Sequence, residues 1–425
     1  MLFDYFFRKL EFPPKYYYKQ ILHFYMKFGI IKERKSPPDR RVVFTPSGLT
    51  RLKSKHPEVE IAVETSDIRA FADQEYVDAG FNVVSDVSDC DVLFGVKEVP
   101  VEDLIPNKTY LFFSHTIKKQ PYNQKLLRAC LDKNIRLIDH ETIVNANNIR
   151  LIGFGRYAGM VGAYNTIAAF GKKYDLFNLV PATTLNTKED LIERLKRPVL
   201  PNVKILVTGK GKVGQGVVEI LKGMKMKEVS SEAFLNKVFT YPVFCQIDVL
   251  DYNQRKDGEK LPVVDFYNNP QDYISDFEKY TKVTDIYIAG HFYGSGSPLI
   301  LTQEMLKTHD NKIKVVGDIS CDIDGPVATT IRSSTIEKPI YGYHPSTGEE
   351  VAFDHPAAVT VMAVDNLPCE LPKEASEGFG SMMLDAVIDS FFNGDKDGIL
   401  ERATITQDGK LTPRFEYLQD YADNK

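Results

Sequence analysis

Short apolar runs alternate with helical stretches along almost the whole chain. In the first half they are Gly29–Ile31, Glu60–Val63, Val92–Val96, Thr109–Ser114 and Ile135–Asp139; in the second they are Lys204–Thr208, Ile286–Ala289 and Lys314–Asp318. This alternation predicts parallel-sheet α/β architecture. Two doubly wound, Rossmann-like domains with an interdomain cleft are the expected fold.

Between the two series lies Arg150–Phe170, in which Gly155, Ala158, Gly159, Gly162 and Ala163 recur at three- and four-residue spacing. Small residues on one helical face predict close packing against a neighbour, and the segment reads as an interdomain helix. Near Pro339 the alternation gives way to irregular text with His344, Pro345, His355 and Pro356, and the amphipathic run Ser376–Phe392 then returns to complete the first domain. The expected division is a substrate domain of residues 26–165 completed by 345–425, and a dinucleotide-binding domain of residues 166–344. Residues 1–25 carry Asp4, Arg8, Lys9, Glu11 and Lys15, which deny both a signal-peptide core and an acid-poor transit peptide. They read as an appended extension, with Met26 as the functional start.

Composition adds limits. At 425 residues the chain is too long for one ordinary core, so two domains are the default. Apolar residues at 43% and charged residues at 26%, without a long single-sign run, indicate a globular chain rather than a disordered or membrane-spanning one. A formal charge of −5 supplies no basic face for nucleic acid. Cys90, Cys130, Cys245, Cys321 and Cys369 are scattered without a C-x-x-C pair, which argues against a disulfide framework or a zinc site. Reduced thiols, no metal and a cytoplasmic location are expected.

The strongest local motif is Val203–Val217, where a strand leads through Gly209, Gly211 and Gly214, in G-x-G-x-x-G order, into a helix running to about Met224. Such glycines let the backbone approach a pyrophosphate seated on the positive end of the helix. In NAD sites a carboxylate about 20 residues further on accepts the ribose hydroxyls and repels a 2′-phosphate. Here the second strand, around Glu228–Val229, ends in Ser230 and Ser231, with Glu232 just beyond. The two hydroxyls lean towards NADP(H), and Glu232 keeps NAD(H) open.

In the N-terminal half two strand ends carry charge: Lys97-Glu98 after DVLFGV and Ser114-His115 after TYLFFS. Ligands collect at the C-terminal ends of strands in open α/β sheets, so Lys97 and His115 can converge on one crevice. Nearby cations lower each other's pKa, which brings a lysine towards use as a base. A surface lysine and a strand-capping histidine account for the same residues.

The order of the motifs carries a resemblance. Lys32-Glu33 followed by Arg41-Val42-Val43-Phe44-Thr45-Pro46 resembles the K-E…R-V-x-x-T-P opening of the alanine dehydrogenase, transhydrogenase and saccharopine dehydrogenase superfamily. Val96-Lys97-Glu98, Phe113–Lys118 (FFSHTIK with Phe112), Arg136–Glu141 (RLIDHE) and Gly317–Ser320 (GDIS) look like the lysine–2-oxoglutarate reductase part of the bifunctional aminoadipate-semialdehyde synthases. Thr335–Pro339, Val364–Pro368 and Leu371–Ser376 with Phe379-Gly380 continue the match, which runs from Lys32 to the end. Cys321, where the family has alanine, and His291, where it has a smaller residue, depart from it.

The resemblance implies Lys97 as general base and His115 as general acid. It implies that Arg41 and Gln120 hold the carboxylates and amine of saccharopine, that Glu141 lies beside the site, and that Phe154, Phe292 and Tyr293 line the substrate pocket. Lys212 and Val213 would touch the cofactor in the glycine loop, and Asp318, Ile319 and Ser320 its nicotinamide half. Taken singly, each has a plainer reading as a solvated, core or capping residue. The implied reaction condenses L-lysine with 2-oxoglutarate. A base frees the ε-amine, an acid protonates the departing hydroxyl, and the imine takes hydride from NAD(P)H to give L-saccharopine. Domain closure would exclude water. Alternatives are the NAD-dependent, lysine-forming saccharopine dehydrogenase, an alanine-dehydrogenase-like enzyme and a non-catalytic NAD(P)-binding sensor. The synthases fuse a glutamate-forming saccharopine dehydrogenase behind the reductase, so a separate enzyme of that kind is the expected partner, with no nucleic-acid or membrane partner.

Overall fold

In the computed structural model, which describes residues 26–424, each of the eight apolar runs contributes a strand with parallel neighbours. The N-terminal extension lies outside the described residues. The chain forms two compact units, one running to Gly153 and resuming at Ser376, the other spanning Phe154–Ala375.

The first unit holds an eight-stranded sheet in the order Lys410–Leu411, Thr404–Gln407, Arg136–Asp139, Thr109–Phe113, Val92–Lys97, Lys27–Ile30, Glu60–Glu64, Asn82–Val84. The last two strands in the chain add antiparallel at one edge. Strand order reverses between Lys27–Ile30 and Val92–Lys97, so that the carboxyl ends of these two strands flank a switch point. Phe28, Phe94, Leu111 and Ile138 on the central strands are fully or almost fully buried.

The second unit has its own eight-stranded sheet, ordered Glu350–Val351, Ile340–Tyr343, Val359–Met362, Val315–Asp318, Ile286–Ala289, Lys204–Thr208, Val243–Ile247, Lys227–Glu228. Its reversal falls between Ile286–Ala289 and Lys204–Thr208, the strand that feeds the glycine loop.

Both expected boundaries shift. The helix Gly155–Lys173 belongs wholly to the second unit, because its glycines accept the backbone of the helix Lys212–Gly223. A Cβ on Gly159 would stand 2.0 Å from the Val213 carbonyl, and one on Gly216 would stand 2.0 Å from that of Arg156. Residues 345–375 also stay in the second unit, since Val359–Met362 pairs parallel with Val315–Asp318. The cysteines are free, with Cys90, Cys130 and Cys245 buried.

Candidate functional site

At the switch point of the first unit, the strand Val92–Lys97 delivers Lys97 beside Phe113, its register partner on the neighbouring strand. Two residues later His115 takes up φ 54°, a left-handed conformation that turns the chain at the strand end. A non-glycine residue held there costs about 1–2 kcal/mol, the kind of local strain that collects at functional sites. Its ring lies roughly parallel to that of Phe113, and its Nδ1 meets Glu141 Oε2 at 3.3 Å.

Glu141 also faces Lys118 Nζ at 3.3 Å. Burial works against its ionisation, but the hydrogen bond with His115 and the charges of Lys118 and Arg150 win and hold its carboxyl down at about 2. Asp139 below it accepts the Glu141 N–H at 2.7 Å and the Ser114 hydroxyl, and burial raises its carboxyl to about 6.

Arg41 is not a solvated residue. It is 2% exposed, and its guanidinium forks onto Asp39, with Nε donating at 3.0 Å and Nη2 at 2.6 Å. Burial opposes the charge on Asp39, yet Arg41 and, more weakly, Lys97 hold that carboxyl down at about 2. Lys97 therefore shares a field with the Asp39–Arg41 pair. Gln120 is half-buried and accepts from the Tyr122 hydroxyl.

Three groups beside these strand ends were not foreseen. Arg150 is exposed and lies 5.3 Å over the Phe113 ring, and Glu98 bonds Lys35 at 2.7 Å while its Oε2 is buried with no hydrogen-bond partner among the described residues. The imidazole of His140 is fully buried, with Nε2 2.9 Å from the Gly95 carbonyl. Glutamate and histidine in the strings VKE and DHE were visible in sequence; which atoms they reach was not.

In the second unit the glycine loop has the geometry its motif predicts. Gly209 adopts φ 94°, and a Cβ on Gly214 would stand 2.0 Å from the Gly209 carbonyl, so neither accepts a side chain. A Cβ on Gly211 would meet nothing within 4 Å, leaving a surface at the start of the helix Lys212–Gly223 where a phosphate can approach the backbone. Lys212 and Val213 form its first turn. Among the described residues no group of His, Cys, Asp and Glu is placed to hold a metal ion.

Ser230 and Ser231 do not lie at the strand tip next to the glycine strand. Ser230 caps the short helix Ser231–Asn236, and Ser231 Oγ lies 2.7 Å from the Tyr280 hydroxyl. The strand they follow is at the edge of the sheet, separated from the glycine strand by Val243–Ile247. Sequence order had suggested that the next strand in the chain is the next in space. Instead Gly209 N–H donates to the Ile247 carbonyl at 2.9 Å, and the residue at that tip is Asp248. Asp248 is half-buried and uses Oδ1 to accept the Val249 N–H at 2.9 Å.

Asp318 is buried and accepts from Ser320 N–H and Oγ at 3.0 and 2.7 Å and from Thr330 Oγ1 at 2.6 Å, which makes it a turn-holding group; Ile319 packs towards Gly162. Phe154 caps the helix Gly155–Lys173, half-buried against the second core. Phe292 is 80% exposed, and the Tyr293 hydroxyl donates to the Ser297 carbonyl at 2.9 Å. His291 is buried, with Nδ1 2.8 Å from Thr208 Oγ1, and burial lowers its imidazole to about 4.

Known proteins share this pair of units. Residues 29–161 match the family described as alanine dehydrogenase/PNT, N-terminal domain, and residues 198–414 match its C-terminal domain. The chain belongs to the alanine dehydrogenase/PNT family. It is 29% identical to the alpha-aminoadipic semialdehyde synthase of Arabidopsis thaliana, with 92% of this chain and 41% of that protein covered. The mitochondrial synthase of Bos taurus is 27% identical, with 92% of this chain and 47% of that protein covered, so the chain spans less than half the length of either synthase. The saccharopine dehydrogenase [NAD(+), L-lysine-forming] of Yarrowia lipolytica is 25% identical and is covered over 90% of its length by 84% of this chain. Among solved structures an L-alanine dehydrogenase superposes with a TM-score of 0.62 at 16% identity, covering 93% of this chain and all of that one. The fold is therefore that of the family. Among the described residues no helix is long and apolar enough to cross a membrane.

Proposed function

We propose that the chain is a nicotinamide-dependent oxidoreductase that condenses L-lysine with 2-oxoglutarate to saccharopine. The observation that carries this is the position of Lys97 and His115 at the ends of paired strands beside a switch point, with His115 bonded to Glu141. The relatives named for saccharopine chemistry support it.

Lys97 takes the proton from the ε-ammonium of lysine, freeing a lone pair to attack the keto carbon. His115, oriented by Glu141, protonates the carbinolamine hydroxyl, which leaves as water and yields the protonated imine. Lys118 and Arg150 supply positive charge for the carboxylates of a strongly anionic product. Bound nicotinamide supplies the hydride that reduces the imine. Gly209, Gly211 and Gly214 with the first turn at Lys212 would hold its pyrophosphate. Asp248 would accept its ribose hydroxyls, which favours NAD(H) over the NADP(H) suggested by Ser230 and Ser231.

Replacing Lys97→Met or His115→Gln tests the roles. Turnover of folded protein should fall by roughly 10²- to 10⁴-fold in each. Near wild-type turnover in either variant would remove that residue from the mechanism.

A further inference from the structure

The strand that carries Lys97 ends irregularly. Its ladder with Thr109–Phe113 is regular from Val92 to Phe94 and shifts before Lys97 pairs with Phe113. Across that stretch, main-chain groups on three consecutive residues are held by buried side chains that the chemistry above does not use.

Glu33 accepts the Val96 N–H at 2.6 Å and the Lys97 N–H at 2.9 Å, one on each carboxyl oxygen. From the other side His140 Nε2 meets the Gly95 carbonyl at 2.9 Å, so Nε2 carries the proton and donates it. Glu33 is 7% exposed and His140 is fully buried. Glu33 faces Asp39 and Arg41; His140 is packed between the rings of Phe113 and Phe379 at 5.1 and 5.2 Å, with the charge of Arg150 nearby.

Side chains alternate faces along a strand, so a slip of one residue would send Lys97 to the opposite face of the sheet. A bulge changes where the following side chain points, and it persists only while something holds its unpaired main-chain groups. We propose that Glu33 and His140 are positioning residues, a buried clamp on Gly95–Lys97 that fixes the bulge and thereby aims the Lys97 amine at the substrate. The proposal rests on the reading of Lys97 as the base.

The full chain is compared with Glu33→Gln, His140→Leu and His140→Gln. An amide in place of Glu33 turns an N–H donor towards one of the two main-chain N–H groups. Leucine removes the donor to Gly95, and glutamine restores one. Two quantities are read: kcat and KM with lysine and 2-oxoglutarate, and the rate at which acetic anhydride labels Lys97 relative to the other lysines, by peptide mass spectrometry. NADH binding reports on folding of the second unit, and thermal unfolding on the whole chain.

Glu33→Gln and His140→Leu should lower kcat by about tenfold or more, as expected for a catalytic group moved by a fraction of its reach, with little change in KM. Both should change the relative labelling of Lys97, and His140→Gln should recover most of both effects. Unchanged Lys97 labelling in folded variants, or His140→Gln as impaired as His140→Leu, overturns the proposal. If the wild-type chain does not turn over these substrates, the reading of Lys97 as base fails, while the labelling still decides whether the clamp orients that amine. If Glu33→Gln does not fold, the two His140 variants decide.

Discussion

Replacing Asp248→Asn separates the charge of that residue from its structural role. Asparagine caps as well as aspartate does, so the bond to the Val249 N–H survives while the charge goes. In NADP a 2′-phosphate would face the carboxylate that NAD meets with a hydroxyl. Two unit charges roughly 4 Å apart repel by about 1 kcal/mol in water and about 4 kcal/mol at a protein surface. Asp248 is half-buried and falls between these limits. At about 1.4 kcal/mol per decade, the wild-type chain should bind NADH roughly ten- to several-hundredfold more tightly than NADPH. Asp248→Asn should narrow that ratio by about tenfold or more, mainly by tightening NADPH. Titration by nucleotide fluorescence measures both constants without reference to any substrate. A wild-type chain that prefers NADPH, or an unchanged ratio in the variant, would refute the assignment of Asp248 to the ribose.

Gly211→Ala should leave thermal stability within about 0.5 kcal/mol, because its methyl meets no protein atom, yet weaken dinucleotide binding strongly by standing where the pyrophosphate approaches. Gly214→Ala should damage both, since its Cβ falls on the Gly209 carbonyl. Stability should also depend on pH through Glu33, whose carboxyl burial raises to about 8. A raised folded-state value gives stability that is complete below the ordinary carboxylate range and is lost as pH rises through the folded value. Between pH 5 and 8 the wild-type chain should therefore lose on the order of 3 kcal/mol relative to Glu33→Gln, measured by denaturant unfolding across that range. Parallel curves for the two proteins would contradict the burial of an ionisable Glu33.

The parallel strands were legible because buried runs such as Val92–Val96 and Ile286–Ala289 are apolar throughout. The placement of Lys97 and His115 at strand ends was legible for the related reason that a charge ending such a run has to emerge where the strand leaves the sheet. Sequence order misled where space departs from it: Lys227–Glu228 comes next after the glycine helix, but Val243–Ile247 lies next to the glycine strand, which puts Asp248 rather than Ser230 at the tip beside the glycine loop. Glu33 and His140 were hidden because their partners are main-chain atoms, which no side-chain motif records. The buried fork of Arg41 on Asp39, two residues earlier, was hidden because it is set by the path of the chain between Lys32 and Val42.

Product analysis of the purified chain supplied with L-lysine, 2-oxoglutarate and NADH, with pyruvate and ammonia in a parallel reaction, tests the condensation itself. Saccharopine, detected by mass, is expected with equal consumption of NADH and no alanine from the parallel reaction. Alanine without saccharopine, or tight NADH binding with turnover of neither pair, would contradict the proposed function.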